Sequence, residues 1–173
     1  MTTILAPHLQ HPEPRQVSAA GFSVVLHEGT GRAARAVPGH ERLGVIVADA
    51  GVASPMATDL PGAFPSSSTS VWCHAEGSIR VRATWAPPTL LISGGRTVMV
   101  PETPGSTGIA RLSRGDRLLV LSSAAFEAAP GAMVRLLHEG PERLLSADPA
   151  DLLDELFRVA PGGGGAVVTR MED

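Results

Sequence analysis

Residues 78–85, SIRVRATW, set Ile79, Val81 and Ala83 against Arg80, Arg82 and Thr84 in strict alternation. A period of two belongs to a strand with one buried and one solvated face. Similar short runs surround it: FSVVL at 22–26, LGVIVAD at 43–49, SVWCHA at 70–75, TLLIS at 89–93 and RTVMV at 96–100. Glu76-Gly77 and Gly94-Gly95 fall between consecutive runs as two-residue turns. Glycine takes the positive φ that strand-matched turns need, so sequential antiparallel hairpins are expected. LGVIVAD is nearly continuous in apolar residues, which predicts an interior strand covered on both faces.

Beyond DRLLVLS at 116–122 the period changes. A helix is predicted over 132–139 with Gly140 as its stop, and a clearer one after Asp148. Asp148 suits an N-cap and Pro149 a first helical position. Leu152, Leu153, Leu156, Phe157 and Ala160 make one apolar stripe, read as packing against a sheet. AVVTR at 166–170 closes the chain as a strand. Residues 1–18 hold Pro7, Pro12 and Pro14 around His8 and His11 and read as a proline-broken arm. Two histidines on such an arm share no fixed geometry, so they are given no metal. Residues 19–173 are read as one domain, a usual size at about 100–200 residues.

Composition removes several functions. With 43% hydrophobic and 18% charged residues the chain can offset the entropy of ordering. The net charge of -3 gives no field to gather a polyanion, and the six Phe and Trp residues are scattered, so nucleic acid is not expected as a partner. Cys73 is the only cysteine, which excludes an intrachain disulfide and a multi-thiolate zinc site and fits a reducing cytosol. Neither a secretory segment nor a membrane helix is expected, since no window approaches about 18 apolar residues. All fourteen basic residues are Arg. Without lysine, the glycine runs at 104–108 and 162–165 cannot be phosphate loops of the P-loop kind and are read as turns.

The order of the central segments resembles a known family. ATWAPPTLLISGGR at 83–96, SRGDRLLVLSSAAFEAA at 113–129 and GGGGAVVTR at 162–170 are similar to the AGHPPPLLL…GG, PGDRLLLYTDGLTEA and DD-turn segments of the metal-dependent PPM (protein phosphatase 2C) superfamily, in its bacterial SpoIIE-like branch. Residues 45–57, VIVADAGVASPMA, resemble more loosely the family's DVxGHGxxAA segment. The likeness implies an α+β fold, a reduced PPM-like sandwich of mainly antiparallel sheets flanked by helices. It also implies two divalent cations, Mg²⁺ or Mn²⁺, bridged by carboxylates that activate a water against phosphorus.

The site residues depart from that pattern. Asp49 matches the first bridging aspartate and Gly51 a nearby glycine, but the family's Asp-Gly is Ser123-Ala124 here, and the DD turn is Gly162-Gly163. One ligand of the set remains, so Asp49 is read as vestigial, no cofactor is expected, and the phosphatase reaction is read as lost. The rival expectation is a metal site rebuilt around Asp49 with Asp59, Glu102 or Glu127, holding Mn²⁺ or Mg²⁺.

A serine nucleophile at Ser122 or Ser123 lacks the flanking glycines of a nucleophile elbow. His27, His40, His74 and His138 are spread along the chain with no spacing that makes a triad. Arg111, Arg114 and Arg117 cluster before a strand and are the candidate contact for a phosphate or a partner. The family's central helix pair has no counterpart in 58–69, which contain Pro61, Gly62, Pro65 and Ser66 to Ser68. A sheet face left uncovered there predicts homodimerisation or docking of another protein, without nucleic acid or membrane. Regulation of bacterial phosphorylation-dependent signalling is what the likeness implies about role, and a self-associating structural subunit is the remaining alternative.

Overall fold

A computed structural model describes residues 14–29, 34–48, 67–103, 105–128, 131, 138, 140–158 and 163–172. The described strands are β1 (Arg15–Ala19), β2 (Phe22–His27), β3 (Ala34–Pro38), β4 (Arg42–Ala48), β5 (Ser68–His74), β6 (Ser78–Thr84), β7 (Thr89–Ser93), β8 (Arg96–Val100), β9 (Thr107–Arg111), β10 (Arg117–Leu121) and β11 (Gly165–Arg170). The helices are α1 (Ser123–Ala128), α2 (Pro141–Ser146) and α3 (Pro149–Phe157). One sheet runs β1-β2-β11-β10-β7-β8 and the other β3-β4-β5-β6-β9, with every neighbouring pair antiparallel. This is the expected α+β sandwich.

Alternation builds the sandwich. Val24, Leu26, Leu118, Val120, Ala166 and Val168 of the first sheet meet Leu43, Val45, Val47, Val71, Cys73, Ile79 and Val81 of the second in one buried layer. Each fully buried side chain of this size contributes about 1.5–3 kcal/mol relative to exposure. The opposite face of the six-stranded sheet presents Val25, Ile92, Leu119, Leu121 and Val167 to Leu144 of α2 and to Leu152, Leu153, Leu156 and Phe157 of α3. The stripe read in 152–157 is therefore a helix-on-sheet contact. Its start is also as read: the Asp148 side chain accepts from the backbone N–H of Ala150 at 2.8 Å, with Pro149 opening the helix.

The Gly94-Gly95 turn and the one at Gly77 join β7 to β8 and β5 to β6, with all three glycines at positive φ. β4 is buried from Leu43 to Ala48 and lies inside its sheet, as its apolar run predicts. Three strands went unread. β1 begins inside the stretch assigned to the arm, which corrects that boundary: past Pro14 the chain can donate again, and Gln16 and Val17 pair with Val25 and Val24. β3 and β9 are short edge strands with little alternation, and only pairing with β4 and β6 defines them. α2 was also unread, and Gly140, at φ 86°, precedes it. The arm up to residue 13, the segment 49–66 and all of the helix expected over 132–139 but His138, which is helical, lie outside the described residues. Among the described residues no helix is long and apolar enough to cross a membrane.

Phe157 joins the helical layer to the sheet. Its ring stacks on His27 with centroids 4.1 Å apart and planes 4° apart. A Cβ on Gly165 would stand 2.7 Å from that ring, so β11 begins with the one residue that lets the phenyl lie flat on the strand. Phe157→Ala is expected to lower unfolding free energy by about 3–5 kcal/mol. Urea titration followed by tryptophan fluorescence checks this, and a loss below about 1 kcal/mol would show that the helix is not anchored there.

Candidate functional site

One end of the sandwich gathers the ends of β4, β6 and β10 and the starts of β5 and β11. Ser122 follows β10 and is buried. Its Oγ accepts from the backbone N–H of Ala125 at 3.2 Å and of Gly164 at 3.1 Å, while its own N–H donates to the Gly164 carbonyl at 2.9 Å. One hydroxyl thus caps α1 and fastens the turn that leads into β11. A serine held as a double acceptor and 2% exposed is structural, so it does not offer a nucleophile.

Ser123 stands where the resembled family carries its Asp-Gly carboxylate. Its Oγ lies 2.8 Å from the Ser67 Oγ, and the Trp85 carbonyl stands 3.4 Å from the first and 3.0 Å from the second, so one hydroxyl donates to its neighbour and the other to that carbonyl. The contact ties the first sheet's β10–α1 junction to the second sheet at β5 and β6. Trp85 pays for this with φ 50°, a backbone region that a bulky residue rarely adopts, and its indole is 86% exposed.

Gly163 stands where that family carries its acidic turn. A Cβ there would lie 2.8 Å from the Ala125 Cβ and 3.0 Å from the Ala125 backbone. The turn is packed onto α1 with no room for a side chain. At these two positions the residues present do not fit a pair of bridged cations: neither carries a carboxylate, one hydroxyl is committed, and the other space is closed. Among the described residues no group of three or more His, Cys, Asp or Glu could hold a metal ion. Asp49 and Asp59 lie outside the described residues. Glu102 and Glu127 are both exposed, Glu102 after β8 and Glu127 on α1.

The three arginines proposed as one contact do not converge. Arg111 ends β9 in the five-stranded sheet and donates to the Glu76 carbonyl at 3.3 Å. Arg114 is exposed in the tight turn where Asp116 accepts from the Ser113 N–H at 2.8 Å. Arg117 begins β10 in the six-stranded sheet, and its Nη1 donates to the carbonyls of Leu144 at 2.9 Å and Ala147 at 2.6 Å, capping the end of α2. Burial lowers its pKa, against the opposing pull of Asp148. Only five residues lie between Arg111 and Arg117, but the chain changes sheet across them.

Cys73 lies in the inter-sheet layer. Burial pushes its thiol up to about 12, against a smaller opposing effect of Arg170. A group with a raised folded pKa contributes stability that is complete below its unfolded value and is lost as pH rises through the folded one. Ellman's reagent near neutral pH should therefore leave the native thiol untouched, and Cys73-dependent stability should decline as pH climbs above 9 toward about 12. Rapid labelling of the folded protein would contradict the burial.

Three solved structures share the fold. RsbX, in complex with magnesium, superposes with a TM-score of 0.58 at 8% identity, over 92% of this chain and 100% of that one. The phosphatase domain of SpoIIE from Bacillus subtilis gives 0.56 at 12% identity, over 87% and 92%. The serine/threonine phosphatase PstP/Ppp of Mycobacterium tuberculosis gives 0.52 at 13% identity, over 88% and 98%. No family model matches the sequence, and no curated protein matches it either. The chain therefore has the PPM-phosphatase fold, of the SpoIIE-like kind that its central segments resemble.

Ser122→Ala should cost about 1–2 kcal/mol by stripping two N–H groups of their acceptor. Gly163→Asp should cost about 1–3 kcal/mol or more by overpacking against Ala125. Thermal melts of the two variants test the junction, and a Gly163→Asp protein as stable as the parent would show that the turn can accept a carboxylate.

Proposed function

We propose that this chain is a catalytically inactive relative of the PPM phosphatases, a protein-binding regulatory module of bacterial phosphorylation-dependent signalling. What carries the reading is the junction of Ser123 and Gly163. Catalysis by two cations needs hard oxygen ligands that offset the cost of stripping water from Mg²⁺ or Mn²⁺. Here one ligand position is a hydroxyl spent on Ser67 and Trp85, and the other is a glycine pressed on Ala125. The hydrogen bonds do the structural work that bridged cations would otherwise share, joining the two sheets at the same end of the sandwich.

An inactive scaffold acts through its surfaces, by docking another protein or by pairing with a second copy. The kinship in fold with SpoIIE and RsbX supports the signalling context, since the resemblance in the central segments points to the same branch. Purified protein should release no phosphate from p-nitrophenyl phosphate or from a phosphoserine peptide, with or without Mn²⁺. Metal-dependent turnover that disappears in Asp49→Ala would overturn the inactive reading and establish a rebuilt site.

A further inference from the structure

The outward face of the five-stranded sheet is unusual in charge. In an antiparallel sheet directly paired residues share a face. Val37, Gly44, Trp72, Arg80 and Ile109 form one row on this side, and Arg35, Ile46, Ser70, Arg82 and Thr107 the next; Gly44, Ile46 and Ser70 are buried, and the exposed members are those of β6 and β9. Arg42 pairs with His74, and Arg111 with Ser78, on the same side. Five arginines thus stand on one face, while among the described residues no Asp or Glu occupies an outward strand position; Glu41 and Glu76 lie only in the hairpin turns at its end. The chain as a whole carries -3. On the far side Glu142 of α2 and Asp151 and Asp154 of α3 are exposed, beside Arg143 and Arg158.

Apolar anchors are set among these charges. Ile109 is 71% exposed on the edge strand β9, at the end of its row, and Trp85 stands beside Arg82, Thr84, Ala86 and Gly105 in a cavity of about 310 Å³. Exposed Trp and Arg around a small cavity is the composition of a protein-binding centre. Aliphatic Val37 and Ile109 serve a polypeptide and not a phosphate backbone. Trp72, already under the Arg42 guanidinium and packed against Gly44, is not an open stacking platform for bases.

We propose that this face docks an acidic protein segment, whose carboxylates meet Arg80 and Arg111 and whose apolar side chain fills the cavity beside Trp85. The proposal deepens the protein-binding reading above by naming the surface and the partner's chemistry. Electrostatic complementarity of this kind sets orientation and association rate, and weakens with salt.

The test is a fluorescence titration of the full chain with a synthetic peptide of alternating Glu and Leu, with poly-L-glutamate, and with a single-stranded oligonucleotide of matched charge. The Glu–Leu peptide should bind best, more weakly as salt rises, and about tenfold or more weakly to R80E/R111E. Both substitutions are exposed, on the paired strands β6 and β9, and R96E, exposed on β8 of the other sheet, is the control that should bind as the parent does. Absent peptide binding, equal binding by R80E/R111E, or tighter binding of the oligonucleotide would overturn the proposal. So would light scattering that shows the parent alone assembling and R80E/R111E monomeric, since the face would then belong to a second copy. Phosphate release in the hydrolysis assay would remove the inactive reading and leave this surface standing, so the two fail separately.

Discussion

Everything in this molecule hangs on the layer where two antiparallel sheets close face to face. Once Val24, Leu118, Val120 and Val168 are committed to Val45, Val71 and Val81, every second residue of each strand must point the other way. The six-stranded sheet meets that consequence with apolar outward residues and two helices. The five-stranded sheet meets it differently. Ile46 and Ala48 are buried on its outward side, but the rest of that side carries arginine, tryptophan and isoleucine.

At one end of the sandwich, hydrogen bonds between neutral groups fasten the strand ends. Ser122 holds Gly164 and Ala125 within the first sheet and its helix, and Ser123 reaches across to Ser67 and Trp85 of the second. Neutral bonds of this kind are individually worth about 0.5–1.5 kcal/mol. Gly163 is the geometric counterpart. With no side chain it lets the turn settle against Ala125, and that closeness buries the Ser122 hydroxyl between two N–H donors.

Most of the architecture could be read from periodicity because strands with one wet face must alternate. Ile79, Val81 and Ala83 alternate with two arginines, and they fall inward as that pattern demands. The cap at Asp148 was equally plain, since capping is local chemistry confined to a few consecutive residues. What escaped was whatever depends on a distant partner. β3 and β9 are strands because β4 and β6 hold them. Arg117 reads like Arg111 in sequence, but a change of sheet aims one at helix carbonyls and leaves the other at the edge of an arginine-bearing face. Ser67 could not be linked to Ser123, 56 residues away, by any local rule.

Net charge hides a similar dependence on the fold. A total of -3 argues against attraction for polyanions only if charge is spread evenly. Strand alternation and helix exposure do not spread it; they sort it. Arg80 and Arg82 are two residues apart, so pleating alone puts them on one side, and pairing then adds Ile109 beside one and Thr107 beside the other. Asp151 and Asp154 are three apart on a helix, which brings them to one exposed face across the molecule. A chain of modest acidity thereby presents a basic sheet to one side and an acidic helix layer to the other.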